Sequence, residues 1–472
     1  MLKIAIIGAG SLTFCQRVVA DLLAVEELQD TEFRFMDIDP EGLKMAATVG
    51  RKFIRDNGLP ARIVDTLDQR EAITDADYIL SLVRVGGLDA FEKDIEIPLK
   101  HGVDQCVGDT LAPGGIFYAL RTIPVLLDIA KDIREVAKPN AILINYSNPM
   151  AMNVWALNRA GGVQVIGLCH GVLGGHWQIA EALNLPQDEV DYNCVGINHQ
   201  TWFTQISYKG MDMLPFLLDA FEQHPDFQRQ EKVRIDILKR FGYYSTESNG
   251  HLSEYVPWYR KRPTEIDDWI NYDAWIHGET GGYLRVCREN RNIYTEQYPK
   301  LMSGEEPLIE FGTRSHEHAS YIIEALETGR TYRGHFNLRN TGLISNLPDG
   351  CTVELPAYVD RTGVHPAWMG DLPLQCAATC DVTINVQRMV VEAALTGNKD
   401  LVKLAMMHDP LTGAVLNPPE IYHLADAMFE ALSEWMPQFN GQGRTWEDQP
   451  LPNGGRITRI TAAGDWRPPK LA

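Results

Sequence analysis

The chain has 472 residues, 45% of them apolar, enough to bury a large core and too many for one small domain. Its 63 acidic against 43 basic residues leave a formal charge of -20, which repels phosphate and excludes nucleic acid and anionic lipid as partners unless a basic patch is segregated. No such patch stands out, and Arg260, Lys261 and Arg262, after Trp258 and Tyr259, read as a solvated loop. No apolar run approaches the roughly 18 to 20 residues of a membrane span. The eight scattered cysteines fit free thiols in a reducing, cytoplasmic compartment.

Along the chain, Ile4 to Ile7 is an apolar run ending in Gly8-Ala9-Gly10-Ser11, after which Phe14, Val18, Leu22 and Val25 recur at helical spacing. The pattern predicts strand, glycine turn and helix. The opening residues superficially resemble a signal segment, but they lack a cleavage pattern and read as a buried first strand. Phe33 to Ile38 predicts a second strand that closes on Asp37-Ile38-Asp39-Pro40, followed by a helix to about Asn57 and a strand over Arg62 to Val64. Asp77 to Val83, Ala141 to Tyr146 and Val163 to Leu168 are further buried runs between helical stretches. Alternation at this spacing predicts a mostly parallel, doubly wound α/β sheet of Rossmann type.

Tyr192 to Asn198 and Thr201 to Tyr208 predict an antiparallel pair, after which the texture changes. Leu214 to Thr328 is mainly helical and rich in aromatics. Strands near Tyr332 to Asn337 and Thr352 to Val359 then precede helices at 376 to 397 and 418 to 435. The chain therefore divides into a cofactor domain over 1–195 and a second α+β, largely helical domain for substrate binding and oligomerisation over 196–472, an arrangement like that of lactate and malate dehydrogenases. The tail from Asn440, with its Gly and Pro, is expected to be loosely held or draped on a neighbouring subunit.

A dinucleotide diphosphate needs close backbone approach and a helix N-terminus, which Gly8, Gly10 and Ser11 would supply. Thr13 stands where the fingerprint has its third glycine, so an unliganded turn remains an alternative on the turn alone. Asp37 favours the dinucleotide. It closes the second strand, where a carboxylate binds the ribose hydroxyls of NAD and disfavours the extra phosphate of NADP. Asp39, directly before Pro40, fits a helix cap better.

Further polar groups fall where strands of such a sheet end: Asp109 in Val107-Gly108-Asp109-Thr110, Asn148 in Ser147-Asn148-Pro149-Met150, Cys169-His170-Gly171-Val172, and Asn198-His199. A thiolate at Cys169 and an imidazole at His199 suit a borderline divalent metal. Taken singly, such a cysteine is more often a buried structural thiol and such a histidine more often a hydrogen-bonded core residue than a ligand. Asp109 also suits a turn carboxylate capping the helix around Pro113, and Asn148 an Asn-Pro turn opening the next helix.

Together, Gly8-Ala9-Gly10-Ser11, Asp109-Thr110, Asn148-Pro149-Met150, Cys169-His170 and Gly196-Ile197-Asn198-His199 resemble glycoside hydrolase family 4. The resemblance runs over nearly the whole chain, through Glu247-Ser248, His251, Glu254-Tyr255, Pro257-Trp258, Gly342-Leu343-Ile344 and Asn385-Val386-Gln387, and is strongest to the α-galactosidase members. It implies NAD, a divalent metal, usually manganese, held by Cys169 and His199, and a homodimer or homotetramer. It also implies redox-assisted elimination in place of the usual carboxylate pair: oxidation at sugar carbon 3, loss of the carbon 2 proton with departure of the aglycone, addition of water and re-reduction. In that scheme Asn148 contacts a sugar hydroxyl, Tyr255 is the base, and Asp109 contacts substrate or orients a ligand. Tyr255 also suits a sugar-stacking platform or plain packing.

His170 bears on the substrate. Phospho-sugar members resemble Cys-Asp-Met-Pro or Cys-Asn-Val-Pro at this motif, so Cys-His-Gly-Val implies an unphosphorylated sugar met by His170. Gly171 departs from the Cys-His-Ser-Val of the α-galactosidases and keeps an α-glucuronidase or α-glucosidase open beside the α-galactosidase. From another class, an NAD-dependent 2-hydroxy-acid-type dehydrogenase would use the same first domain.

Overall fold

The computed structural model describes residues 1–270, 274–441 and 443–461. The strands are β1 (Leu2–Ile7), β2 (Thr31–Met36), β3 (Arg62–Thr66), β4 (Tyr78–Ser81), β5 (Ile142–Asn145), β6 (Gln164–Gly167), β7 (Val190–Ile197), β8 (Gln200–Tyr208), β9 (Met211–Asp212), β10 (Tyr244–Ser245), β11 (Tyr332–Arg339), β12 (Thr352–Asp360) and β13 (Gly363–Pro366). The order β3-β2-β1-β4-β5-β6 is parallel throughout, which is the doubly wound dinucleotide-binding topology expected.

Side chains alternate across these strands and meet helices on both faces. Ile4 and Ile6 enter a core with the helices Leu12–Leu23, Pro40–Asp56 and His318–Thr328, while Ala5 and Ile7 enter another with Ala112–Val136 and Leu374–Thr396. Each fully buried Ile or Leu contributes about 1.5–3 kcal/mol by leaving water, which is why the parallel strands are nearly continuous apolar runs.

The expected antiparallel pair is present, with a register shift between Asn193 and Cys194. It does not follow β6 in the sheet. β11 and β12 insert between them, so that Asn337 pairs with Gly167 and Glu354 with Gly196. Residue 195 lies inside β7, and one sheet runs on across it.

Two expectations are corrected. The described tail is strapped to this chain's own surface: Trp446 N–H donates to Leu395 O at 3.0 Å, Gln449 N–H to Arg159 O at 2.8 Å, and Val364 N–H to Ile457 O at 2.9 Å, while Arg459 pairs with Asp77. Residues 462–472 lie outside the described residues. Arg260 is no loop cation. It is buried, ion-paired to Asp104 at 2.5 Å and donating to Gly278 O at 2.8 Å. Among the described residues, no helix is long and apolar enough to cross a membrane.

Candidate active site

The turn after β1 is built as a diphosphate cradle requires. Gly8 has φ +91°, and a Cβ there would lie 2.9 Å from the Leu82 carbonyl carbon, so only glycine brings this backbone against the strand β4 exit. Ser11 makes no side-chain cap on Leu12–Leu23, leaving the first-turn amides directed out of the helix end; its hydroxyl stands 3.3 Å from Tyr294 Oη. Asp37 follows β2. Its carboxylate accepts from Gly10 N–H at 2.7 Å and from Asp39 N–H at 2.9 Å, which fixes it at the edge of the turn. Asp39 caps Pro40–Asp56 through Glu41 and Gly42 N–H, as its position before Pro40 suggests.

Across the same edge of the sheet, the exits of β5 and β6 carry Asn148 and Cys169. His199 reaches them from the hairpin between β7 and β8. Ile197 pairs with Gln200, so Asn198 and His199 form a two-residue turn, and His199 takes the left-handed conformation at φ +64°. Gly or Asn usually fills such a position, and a non-glycine residue there costs of order 1–3 kcal/mol.

The helix Asn249–Tyr255 supplies the opposite wall. Ser248 caps it, and the Ser248 hydroxyl also stands 2.7 Å from His251 Nδ1, fixing that ring. Glu247, just before the cap, brings its Oε1 to 3.4 Å from Cys169 Sγ and 3.8 Å from His199 Nε2. Ligand atoms of Cys169, His199 and Glu247 lie within 4.8 Å of one another, as do those of Asp109, His199 and His251.

Asp109 is not the cap of the helix Ala112–Val136, as the alternative above allowed. Asp409 accepts from Ala112 N–H at 2.9 Å instead, while Asp109 accepts from Asn148 Nδ2 and from the Thr110 hydroxyl, each at 2.8 Å. Asn148 both precedes the helix Met150–Ala156 and turns its amide into the site. Glu254 takes the amides of Cys106, Val107 at 2.6 Å and Gly108 at 3.1 Å, tying the Asp109 loop to the helix of Tyr255. Burial raises Glu254 to about 7, against the neighbouring Arg260 charge and those amides.

Tyr255 is buried, with its hydroxyl 3.3 Å from His199 Nδ1. Burial, then the carboxylates of Asp109 and Glu254, hold it well above the usual phenol range. Burial likewise pushes the Cys169 thiol well up, helped by Glu247 and Glu354. Burial alone would raise Asp109 and Glu247; the surrounding His199 and His251, with the Thr110 hydroxyl and Arg84 at Asp109 and the Cys169 thiol at Glu247, together leave both carboxyls below their ordinary range. A thiol, an imidazole and ionised carboxylates converging on one buried point form a donor set that fits a divalent cation.

The structure thus brings together Cys169, His199, Asp109, Asn148 and Tyr255 in one place and Gly8, Gly10, Ser11 and Asp37 in another along the same sheet edge. His170 stands apart: it is exposed, with Nε2 2.7 Å from Glu317 Oε1 and its ring stacked on Tyr146. Glu247, His251 and Thr110 had no role assigned from sequence. The signal available for two of them was Glu247-Ser248-x-x-His251, a capping serine whose third helical residue is turned back over the helix start.

Residues 3–185 match the model of the family 4 glycosyl hydrolases and residues 194–412 match the model of their C-terminal domain. The chain belongs to the family 4 glycosyl hydrolases. This family 4 chain is 54% identical over 438 residues to an α-galactosidase of Rhizobium meliloti (strain 1021), covering 93% of the chain and 89% of that protein. It is 36% identical to an α-galactosidase of Bacillus subtilis (strain 168), covering 93% of the chain and all (100%) of that protein. Among solved structures, a 6-phospho-α-glucosidase from gut microorganisms, in complex with NAD and glucose 6-phosphate, superposes with a TM-score of 0.77 at 26% identity, over 94% of this chain and 99% of that one.

Proposed function

We propose that this family 4 glycosyl hydrolase cleaves unphosphorylated α-galactosides such as melibiose, using NAD and one divalent metal, with Mn²⁺ the expected ion. The observation that carries the reading is the convergence of Cys169 and His199, from segments far apart in sequence, beside Asn148, Asp109 and Tyr255 on the edge that also bears the glycine turn. The 54% and 36% identities to α-galactosidases support the choice of sugar, and the NAD-bound relative supports the cofactor.

NAD supplies a reversible hydride acceptor and the metal an electrophile for the sugar oxygens. Gly8, Gly10 and the amides opening Leu12–Leu23 would hold the diphosphate, Asp37 the ribose, and Cys169 with His199 the metal. Asn148 gives one amide hydrogen to Asp109 and keeps its Oδ1 for a sugar hydroxyl. Tyr255 is the base toward the carbon 2 proton. Held high by burial and by anions, its phenol needs the positive charge that the Cys169 and His199 donor set is built to gather. His170, exposed beside Glu317 and outside the metal cluster, is open to an incoming sugar, and the Glu317 carboxylate beside it opposes a phosphorylated one. Residues 1–195 serve the cofactor and 196–472 the substrate. The eight free thiols suit the cytoplasm, and a homodimer or homotetramer, testable by light scattering, is the expected assembly.

The test is nitrophenol release from nitrophenyl α-galactoside, α-glucoside and α-glucuronide, with NAD and Mn²⁺ each present or omitted. Cleavage of the galactoside that requires both, without net NADH, is expected. Absence of cleavage, with NADH accumulating on free sugars or hydroxy acids, would replace this reading by a dehydrogenase. Cys169→Ser should abolish activity and metal dependence while NAD binding survives; unchanged turnover would sink the metal assignment.

A further inference from the structure

We propose that Glu247 is a third protein ligand of the metal centre of Cys169 and His199, and that Gly171 is the residue that lets it reach that position. The inference rests on the assignment of Cys169 and His199 above and extends it by one residue on each side.

Three observations converge on Glu247. First, spacing: donor atoms around one cation, each about 2.0–2.3 Å from it, stand about 3–3.6 Å apart. Glu247 Oε1 is 3.4 Å from Cys169 Sγ and 3.8 Å from His199 Nε2, close to that range before any ion draws them in. Second, orientation. His199 Nδ1 is engaged by the Thr110 hydroxyl at 2.8 Å, so Nε2, the nitrogen facing Glu247, is the one left for a ligand bond. Third, room. A Cβ built on Gly171 would lie 1.7 Å from Glu247 Oε1 and 2.6 Å from its carboxyl carbon. The carboxylate therefore occupies the volume that any other side chain at 171 would claim, and it does so beside the Gly171 N–H, which itself lies 3.5 Å from Cys169 Sγ.

The chemistry agrees with the geometry. A thiolate and an imidazole alone are a soft and a borderline donor; adding a carboxylate oxygen hardens the site toward a manganese-type cation. With three protein donors, a cation can be held before the sugar arrives, leaving the remaining positions for sugar oxygens and water. Glu247 also closes the centre on the side of Cys-His-Gly-Val. A serine at 171 would push the carboxylate out and leave two protein donors.

The experiment uses the full chain with NAD bound, titrated with Mn²⁺ alone by calorimetry and followed by the manganese electron-spin resonance signal. Glu247→Gln is expected to weaken Mn²⁺ binding on the order of ten- to a hundred-fold, as losses around metal sites do. Gly171→Ser should weaken it in the same direction, and Glu247→Asp should recover part of the loss. Retained NAD affinity and an unchanged thermal transition in each variant separate ligand loss from misfolding. Mn²⁺ affinity of Glu247→Gln within two-fold of the parent, with Cys169→Ser abolishing binding, would overturn the ligand assignment while leaving the Cys169 and His199 centre intact. Normal Mn²⁺ binding by Cys169→Ser would overturn that centre, and this inference with it.

Discussion

The Thr110 hydroxyl stands 2.8 Å from His199 Nδ1 and thereby leaves Nε2 as the nitrogen that faces Glu247, 3.8 Å away. Thr110 also donates to Asp109 at 2.8 Å, so its oxygen accepts from the ring, and Nδ1 is the nitrogen that donates to it. Thr110→Val keeps the shape and removes this bond. Metal affinity should fall on the order of ten- to a hundred-fold, the cost usually seen when a ligand's outer partner is lost. Calorimetric titration with Mn²⁺ checks it, and an unchanged affinity would remove Thr110 from the account.

The carboxylate of Asp37 is held between Gly10 N–H and Asp39 N–H at the exit of β2, where it favours ribose hydroxyls and repels a 2′-phosphate. NAD should bind more tightly than NADP, and Asp37→Asn should narrow that preference by at least about ten-fold, roughly 1.4 kcal/mol. Fluorescence titration with both dinucleotides measures the ratio. An NADP preference in the parent chain would refute the role given to Asp37.

A pH dependence of stability follows from His318, which is buried with Nδ1 2.6 Å from Tyr332 Oη. Burial, then the His170 charge, lowers it from 6.5 to about 4. The folded state therefore favours the neutral ring. This contribution is fully present above about 6.5 and is lost as the pH falls toward 4, because the unfolded chain takes up the proton first. By pH 5 the loss is about 2 kcal/mol. Denaturant melts at pH 7 and pH 5 should show a smaller difference for His318→Gln than for the parent. Equal differences would show that His318 does not set the slope.

The parallel half of the fold was legible because its signal is local. Apolar runs such as Ile4 to Ile7 and Ile142 to Ile144 end in glycine or polar turns, and that alternation dictates a doubly wound sheet. Asp39 was likewise readable as a cap, since a cap is decided by its immediate neighbours. The insertion of β11 and β12 between β6 and β7 was not legible, because strand pairing across more than a hundred residues leaves no periodicity behind. Arg260 shows the same limit: beside Lys261 and Arg262 it looks like a solvated cation, and only Asp104 and Gly278, brought up from elsewhere, make it a buried one.

The sequence by itself determined the kinds of donor available, the glycine turn with its acidic partner Asp37, and the order of motifs that marks the family. These are written in residue type and short spacing. Only the tertiary structure decided that Asp409 rather than Asp109 meets the amide of Ala112, that His170 turns outward to Glu317, and that Glu247 lies over Gly171 between Cys169 and His199. A carboxylate's role depends on what surrounds it within about 4 Å, and that neighbourhood is assembled from β6, the β7–β8 turn and a helix cap that are distant in the chain.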